Sequence, residues 1–156
     1  MDRQYRLLLV IELVWLVIAA VLTIAILYPI YQKFPTYPFW VANTVAIVAF
    51  LYATRYTFML KHTFIARQQV MKIVVFFACL PLLFYLISSV NEVQTYIDEE
   101  VFRHALIRLA EREQNRLVGY VRTQFIFFGT AGIIATVSLM IRLLISLWRT
   151  HNKGTV

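Results

Sequence analysis

Three ionisable side chains stand inside stretches that are otherwise apolar: Glu12, Arg55 and Arg142. A carboxylate and a guanidinium can form a forked, charge-assisted pair, and a spare guanidinium can hold a phosphate or another anion. In hydrocarbon an isolated charge costs several kcal/mol, so such groups are expected to find partners. Arginine cannot escape by losing its proton, whereas a glutamate can take one up. Glu12 lies five residues past Leu7, Arg55 five before Leu60 and Arg142 six before Trp148. At 1.5 Å per residue each sits about 7–9 Å from one end of its apolar run. If successive runs cross a bilayer in alternate directions, the three share a level. The arrangement predicts a Glu12–Arg55 or a Glu12–Arg142 bridge, with the other arginine reaching toward lipid phosphate. A shallow polar cavity for an anion or lipid head group is the functional alternative. A carboxylate beside two arginines has its proton affinity lowered, which argues against a proton carrier near neutral pH.

Other chemistry has little support. His62, His104 and His151 fall in connections or the tail, leaving no mid-run histidine for a haem. The single cysteine, Cys79, excludes an internal disulfide and a two-thiol relay. No phosphate-binding loop or HExxH pattern occurs, and Ser88 and Ser89 have no histidine at matching depth. Glu92, Asp98, Glu99 and Glu100 read better as acids at a helix start than as a cation site. No catalytic residue, metal site or cofactor is predicted.

The elements that must position the three charges are set by composition. The chain is 61% hydrophobic and 15% charged, with mean hydropathy +0.71, too apolar to cover a soluble core. In lipid every backbone polar group must be satisfied internally, and runs of this length without alternation select helices. The expectation is an all-α polytopic membrane protein forming a single membrane domain, with four transmembrane helices at about residues 7–28, 39–60, 70–90 and 123–148. The first run starts like a signal peptide but is too long and lacks a small-residue cleavage site, so it reads as a retained span. Pro29 is expected to stop it, and Pro81 to bend the third span. Ala42, Ala46, Ala49 and Ala53 draw a small-residue stripe on the second span, and Gly129, Ala131, Gly132 and Ala135 soften the fourth. Both are packing faces of the kind that hold helices together in lipid. Asn43 and Thr44 are expected to hydrogen-bond between helices or to backbone.

Residues 91–122 hold six of the eight acids and five of the fifteen bases. Val93, Ile97, Val101, Ala105 and Leu109 recur every fourth residue, predicting an amphipathic extramembrane helix over about 92–118, with a candidate break at Gly119. Glu99–Arg103 and Glu113–Arg116 are spaced as helical ion pairs. Phe102, Leu106 and Leu109 would present an apolar face to a partner or to the membrane surface.

Arg3, Arg6, Lys61, Arg67, Lys72, Arg149 and Lys153 flank the spans on one side, which places both termini in the cytoplasm, as in a bacterial cytoplasmic membrane. The net charge of +7 suits an anionic leaflet rather than nucleic acid. Short connections predict an antiparallel bundle. The function expected is that of a non-enzymatic structural, assembly or accessory subunit, in contact with membrane lipids and with other subunits or copies of itself. The alternatives are a small homo-oligomeric channel or transporter and a membrane enzyme acting on lipid head groups at Glu12, Arg55 and Arg142.

Overall fold

The computed structural model describes residues 3–60, 63, 65, 68–98, 102, 104, 106–107 and 109–152. Four long helices account for most of them: α1 (Arg3–Lys33), α2 (Trp40–Met59), α3 (Gln69–Asp98) and α4 (Glu111–Asn152). The architecture is all-α. Three helices are long and apolar enough to cross a membrane: Arg6–Lys33, Gln69–Asp98 and Glu111–Thr150. The remaining one, α2, carries Asn43 and Arg55, and both are buried.

Two expected breaks are absent. α1 runs through Pro29 to Lys33, and the Phe34 amide donates to the Ile30 carbonyl at 2.7 Å to close its last turn. A proline removes one donor from the ladder, and four further residues recover the helix. One carbonyl beyond the bond that Pro29 cannot make, the Tyr120 hydroxyl donates to Ile26 O at 2.8 Å. α4 likewise passes through Gly119 without interruption. A Cβ at that position would meet nothing within 4 Å. Gly119→Ala is therefore expected to raise stability by up to about 1 kcal/mol, the helical penalty of glycine, read as a higher melting temperature in detergent.

The amphipathic helix expected over 92–118 is also corrected. Residues 92–98 are the last turns of α3 and residues 111–118 the first turns of α4, with a reversal between them. Phe102 and His104 are helical, Leu106 and Ile107 form a turn, and α4 begins after Ala110. Gln114 fixes the reversal by donating from Nε2 to the carbonyls of both Leu106 and Leu109, each at 2.9 Å. Glu113 and Gln114 amides both donate to Ala110 O, at 2.8 and 3.0 Å. The apolar periodicity is real, but it supplies the inner faces of two helices that meet one another. Glu113 pairs with Lys33 at 2.9 Å rather than with Arg116, and Asp98 pairs with Arg122 at 3.2 Å. Glu99, Glu100, Arg103 and Arg108, with the pairs expected of them, lie outside the described residues, as do Lys61, Arg67 and Lys153.

At 1.5 Å per residue α4 is about 63 Å long and α3 about 45 Å, both longer than a hydrocarbon layer of roughly 30 Å. The surplus is folded into a cap. Ile30 and Phe34 at the end of α1, Tyr37 in the first connection, Val93 and Ile97 of α3, Phe102, Leu106, and Leu117 and Val121 of α4 form one buried cluster. The Phe102 ring lies edge-on to Phe34 at 5.5 Å and to Tyr37 at 6.2 Å. Burial pushes the Tyr37 phenol above its usual range.

Below the cap the most extensive interface is between α2 and α4, followed by that between α3 and α4; α1 touches the others only sparsely. The alanine stripe of α2 is buried. A Cβ on Gly132 would lie 3.3 Å from the Ala46 carbonyl oxygen, and one on Gly129 would lie 2.5 Å from Val90 Cγ2. Small residues thus bring three backbones together, as expected where dispersion rather than water drives packing.

Candidate functional site

Three places among the described residues gather polar side chains from the helices. The first joins α1 to α2. Arg55 Nη1 donates to Glu12 Oε2 at 2.7 Å, and the Tyr56 hydroxyl approaches the same oxygen at 3.4 Å. Arg55 is 5% exposed, and its guanidinium lies over the Trp15 ring at 5.2 Å and near that of Tyr56 at 5.8 Å. Of the two pairings that depth allows, the structure contains Glu12–Arg55. The aromatic faces take up the flat cation where no second carboxylate is present. Glu12 Oε1 and Trp15 Nε1 are buried without a hydrogen-bond partner. Beside the pair lies a groove of about 430 Å³, mostly apolar and lined by Glu12, Leu13, Leu16, Tyr52, Tyr56 and Met71 among others.

The second place is near the cap. Asn43 of α2 and Gln124 of α4 exchange two hydrogen bonds, Asn43 Nδ2 to Gln124 Oε1 at 3.0 Å and Gln124 Nε2 to Asn43 Oδ1 at 2.7 Å. Both are buried. Each amide satisfies the other's donor and acceptor, so the pair also sets the register of the two helices. Asn43 was expected to bond between helices; Gln124 was not singled out, because it stands at the edge of its apolar run and reads as a boundary residue. An amide at the same depth as Asn43 was the available signal.

The third place separates Arg142 from the other two charges. Arg142 makes no ion pair among the described residues and lines a different groove, of about 590 Å³, between the ends of α2 and α4. The expected three-residue cluster is therefore corrected to a closed pair and a separate arginine. Arg142 and Arg55 share a depth, but they project from different faces of the bundle, which depth alone does not reveal.

The apolar face expected to dock a partner is corrected as well. Phe102 is 0% and Leu106 2% exposed, and Leu109 packs against the same cluster. Their apolar surface is already used inside the cap. The exposed apolar residue of that turn is Ile107, at 74%.

Among the described residues no group of three or more His, Cys, Asp or Glu side chains is placed to hold a metal ion. No protein family, curated protein or solved structure matches the chain, so its site is read from geometry alone.

Proposed function

We propose that this chain is a non-enzymatic, four-span integral membrane protein that serves as a structural, assembly or accessory subunit of a larger membrane complex. The observation that carries this reading is the internal pairing of the polar groups in the bundle. Glu12 is closed on Arg55 and Asn43 on Gln124, while alanine and glycine fill the seam between α2 and α4. Such pairs specify register and use Glu12, Arg55, Asn43 and Gln124 for contacts between helices.

Counting α2 as the fourth span is supported by its length, about 30 Å at 1.5 Å per residue, and by the inward placement of its polar residues. The order of contacts supports alternating directions. Positions advance oppositely in α3 and α4, from Val90–Gly129 to Asp98–Arg122, and together in α2 and α4, from Asn43–Gln124 to Ala46–Gly132. Arg6, Lys72 and Arg149 near one end support cytoplasmic termini in a bacterial inner membrane.

Partner contact falls on α1. It is held to the bundle by few contacts, and Leu13, Leu16, Val17 and Ile24 remain more than half exposed. Mild extraction in native-like lipid, followed by mass identification of everything attached, is expected to find a larger membrane protein at fixed stoichiometry. Recovery of the chain as a pure homo-oligomer that conducts ions after reconstitution would sink the subunit reading in favour of a channel.

A further inference from the structure

The groove around Arg142 continues into a second one. The first, of about 590 Å³, is lined on its polar side by Thr57, Ser138, Arg142, Ser146, Arg149 and Thr150. The second, of about 310 Å³, is lined by Phe50, Phe58, Ala131, Ile134 and Ala135, and it shares Thr57 and Ser138 with the first. The two are one trough between α2 and α4, cationic and hydroxylic at the end of the helices and apolar toward their middle. Residues 125–141 of α4 contain no charge, about 26 Å of helix, so Arg142 marks the lower edge of a hydrocarbon-length run.

Arg142 and Arg149 are unanswered by any carboxylate among the described residues. They lie seven residues apart on one face of α4, about 10.5 Å along its axis, with Ser146 between them. Two long side chains spaced in this way can converge on a single phosphate, each presenting a fork of donors. Thr57 Oγ1 is buried and without a hydrogen-bond partner at the neck where the two halves join. A guanidinium cannot neutralise itself, and no carboxylate among the described residues answers either of these two.

We propose that this trough binds one anionic phospholipid, with the phosphate held by Arg142 and Arg149 and an acyl chain lying over Ala131 and Ala135 toward Phe50. A free phosphate shares the head-group chemistry but would leave the apolar half empty. A zwitterionic head group brings its own cation into a site with two, which disfavours it. A partner helix supplying an acidic side chain is the competing occupant.

The test uses the full chain reconstituted in phosphatidylcholine vesicles containing a minor fraction of phosphatidylglycerol, then gently re-extracted for native mass spectrometry. Wild type is expected to retain one phosphatidylglycerol in preference to phosphatidylcholine. Arg142→Gln with Arg149→Gln should lower the bound fraction at least about tenfold, and Arg142→Lys should keep most of it. Ser138→Phe, which narrows the neck without touching either guanidinium, should also lose the lipid. The single Arg149→Gln variant keeps the test valid if the double variant does not fold, because Arg149 is exposed and makes no ion pair among the described residues; it too should bind less. Wild-type retention by the double or the Arg149→Gln variant would overturn the proposal, as would equal retention of phosphatidylcholine. Loss of the bound lipid on addition of inorganic phosphate would overturn it too, and so would a cross-link from Ser146 to a partner protein with no lipid bound.

Discussion

Replacing Glu12 by alanine is expected to cost about 3–5 kcal/mol, read as a large fall in the melting temperature in detergent or in the denaturant needed to unfold the bundle. The charge left behind explains the size. Arg55 is almost fully buried between α1 and α2, its guanidinium has Glu12 as its carboxylate partner, and it cannot become neutral. Trp15 and Tyr56 offer their ring faces, but a cation–π contact contributes only about 0.5–2 kcal/mol. The opposite substitution, Arg55→Met, is expected to cost less, because the Glu12 side chain is 22% exposed against 3% for Arg55 and keeps the Tyr56 hydroxyl as a donor. The double variant Glu12→Leu with Arg55→Met should recover most of the loss, since both desolvation penalties vanish together. Glu12→Gln should fall between, keeping an acceptor for Arg55 while removing the charge. If Glu12→Ala and Glu12→Gln both melt with wild type, the bridge does not hold α1 to the bundle.

The second large effect belongs to Gly132. Its absent side chain faces the Ala46 carbonyl oxygen at 3.3 Å and the Phe50 amide nitrogen at 3.7 Å, so the obstacle is the backbone of α2. Gly132→Leu must push two helices apart along their most extensive interface, and a loss of about 3 kcal/mol or more is expected. Trimming Leu86, whose Cδ1 would lie 3.7 Å away, should not restore it, because the tightest contact, the Ala46 carbonyl oxygen at 3.3 Å, is backbone. Gly129 differs. An added Cβ would lie 2.5 Å from Val90 Cγ2, the tip of a side chain. Gly129→Ala should therefore destabilise measurably by itself and be relieved by Val90→Ala, giving a coupling of the sign opposite to simple addition. Melting of the four variants in one detergent decides the matter. A harmless Gly132→Leu would show that α2 and α4 are not in close contact there.

The apolar runs, the alanine stripe and the depth of the buried charges were all legible in the sequence, because each depends on local composition and a fixed rise per residue. Depth arithmetic brought Glu12 within reach of either arginine. It could not choose between them, since pairing also depends on which way each helix face turns. Gln124 was overlooked for a related reason: its value lies in facing Asn43, eighty-one positions away. Punctuation misled in both directions. Pro29 and Gly119 look like stops, yet the first costs a helix about 3 kcal/mol and the second about 1 kcal/mol, and both helices run on through them. The reversal between Leu106 and Ala110 carries no glycine or proline at all. It is fixed by the Gln114 amide reaching back across the turn and by the burial of Phe102 and Leu106, both tertiary effects. A repeat of apolar residues says that a face is buried, not that one unbroken rod carries it.

The partnership of α2 with α4 has a consequence for how the protein is made. The helix that carries Asn43 leaves the ribosome second, and the one that shelters this asparagine and packs on its alanines leaves last. At about 5–20 residues per second, the eighty-one positions separating Asn43 from Gln124 amount to roughly 4–16 s of synthesis. During that interval the nascent chain holds a half-finished hairpin with an exposed amide. A truncation before α4 would leave that amide without Gln124 for good.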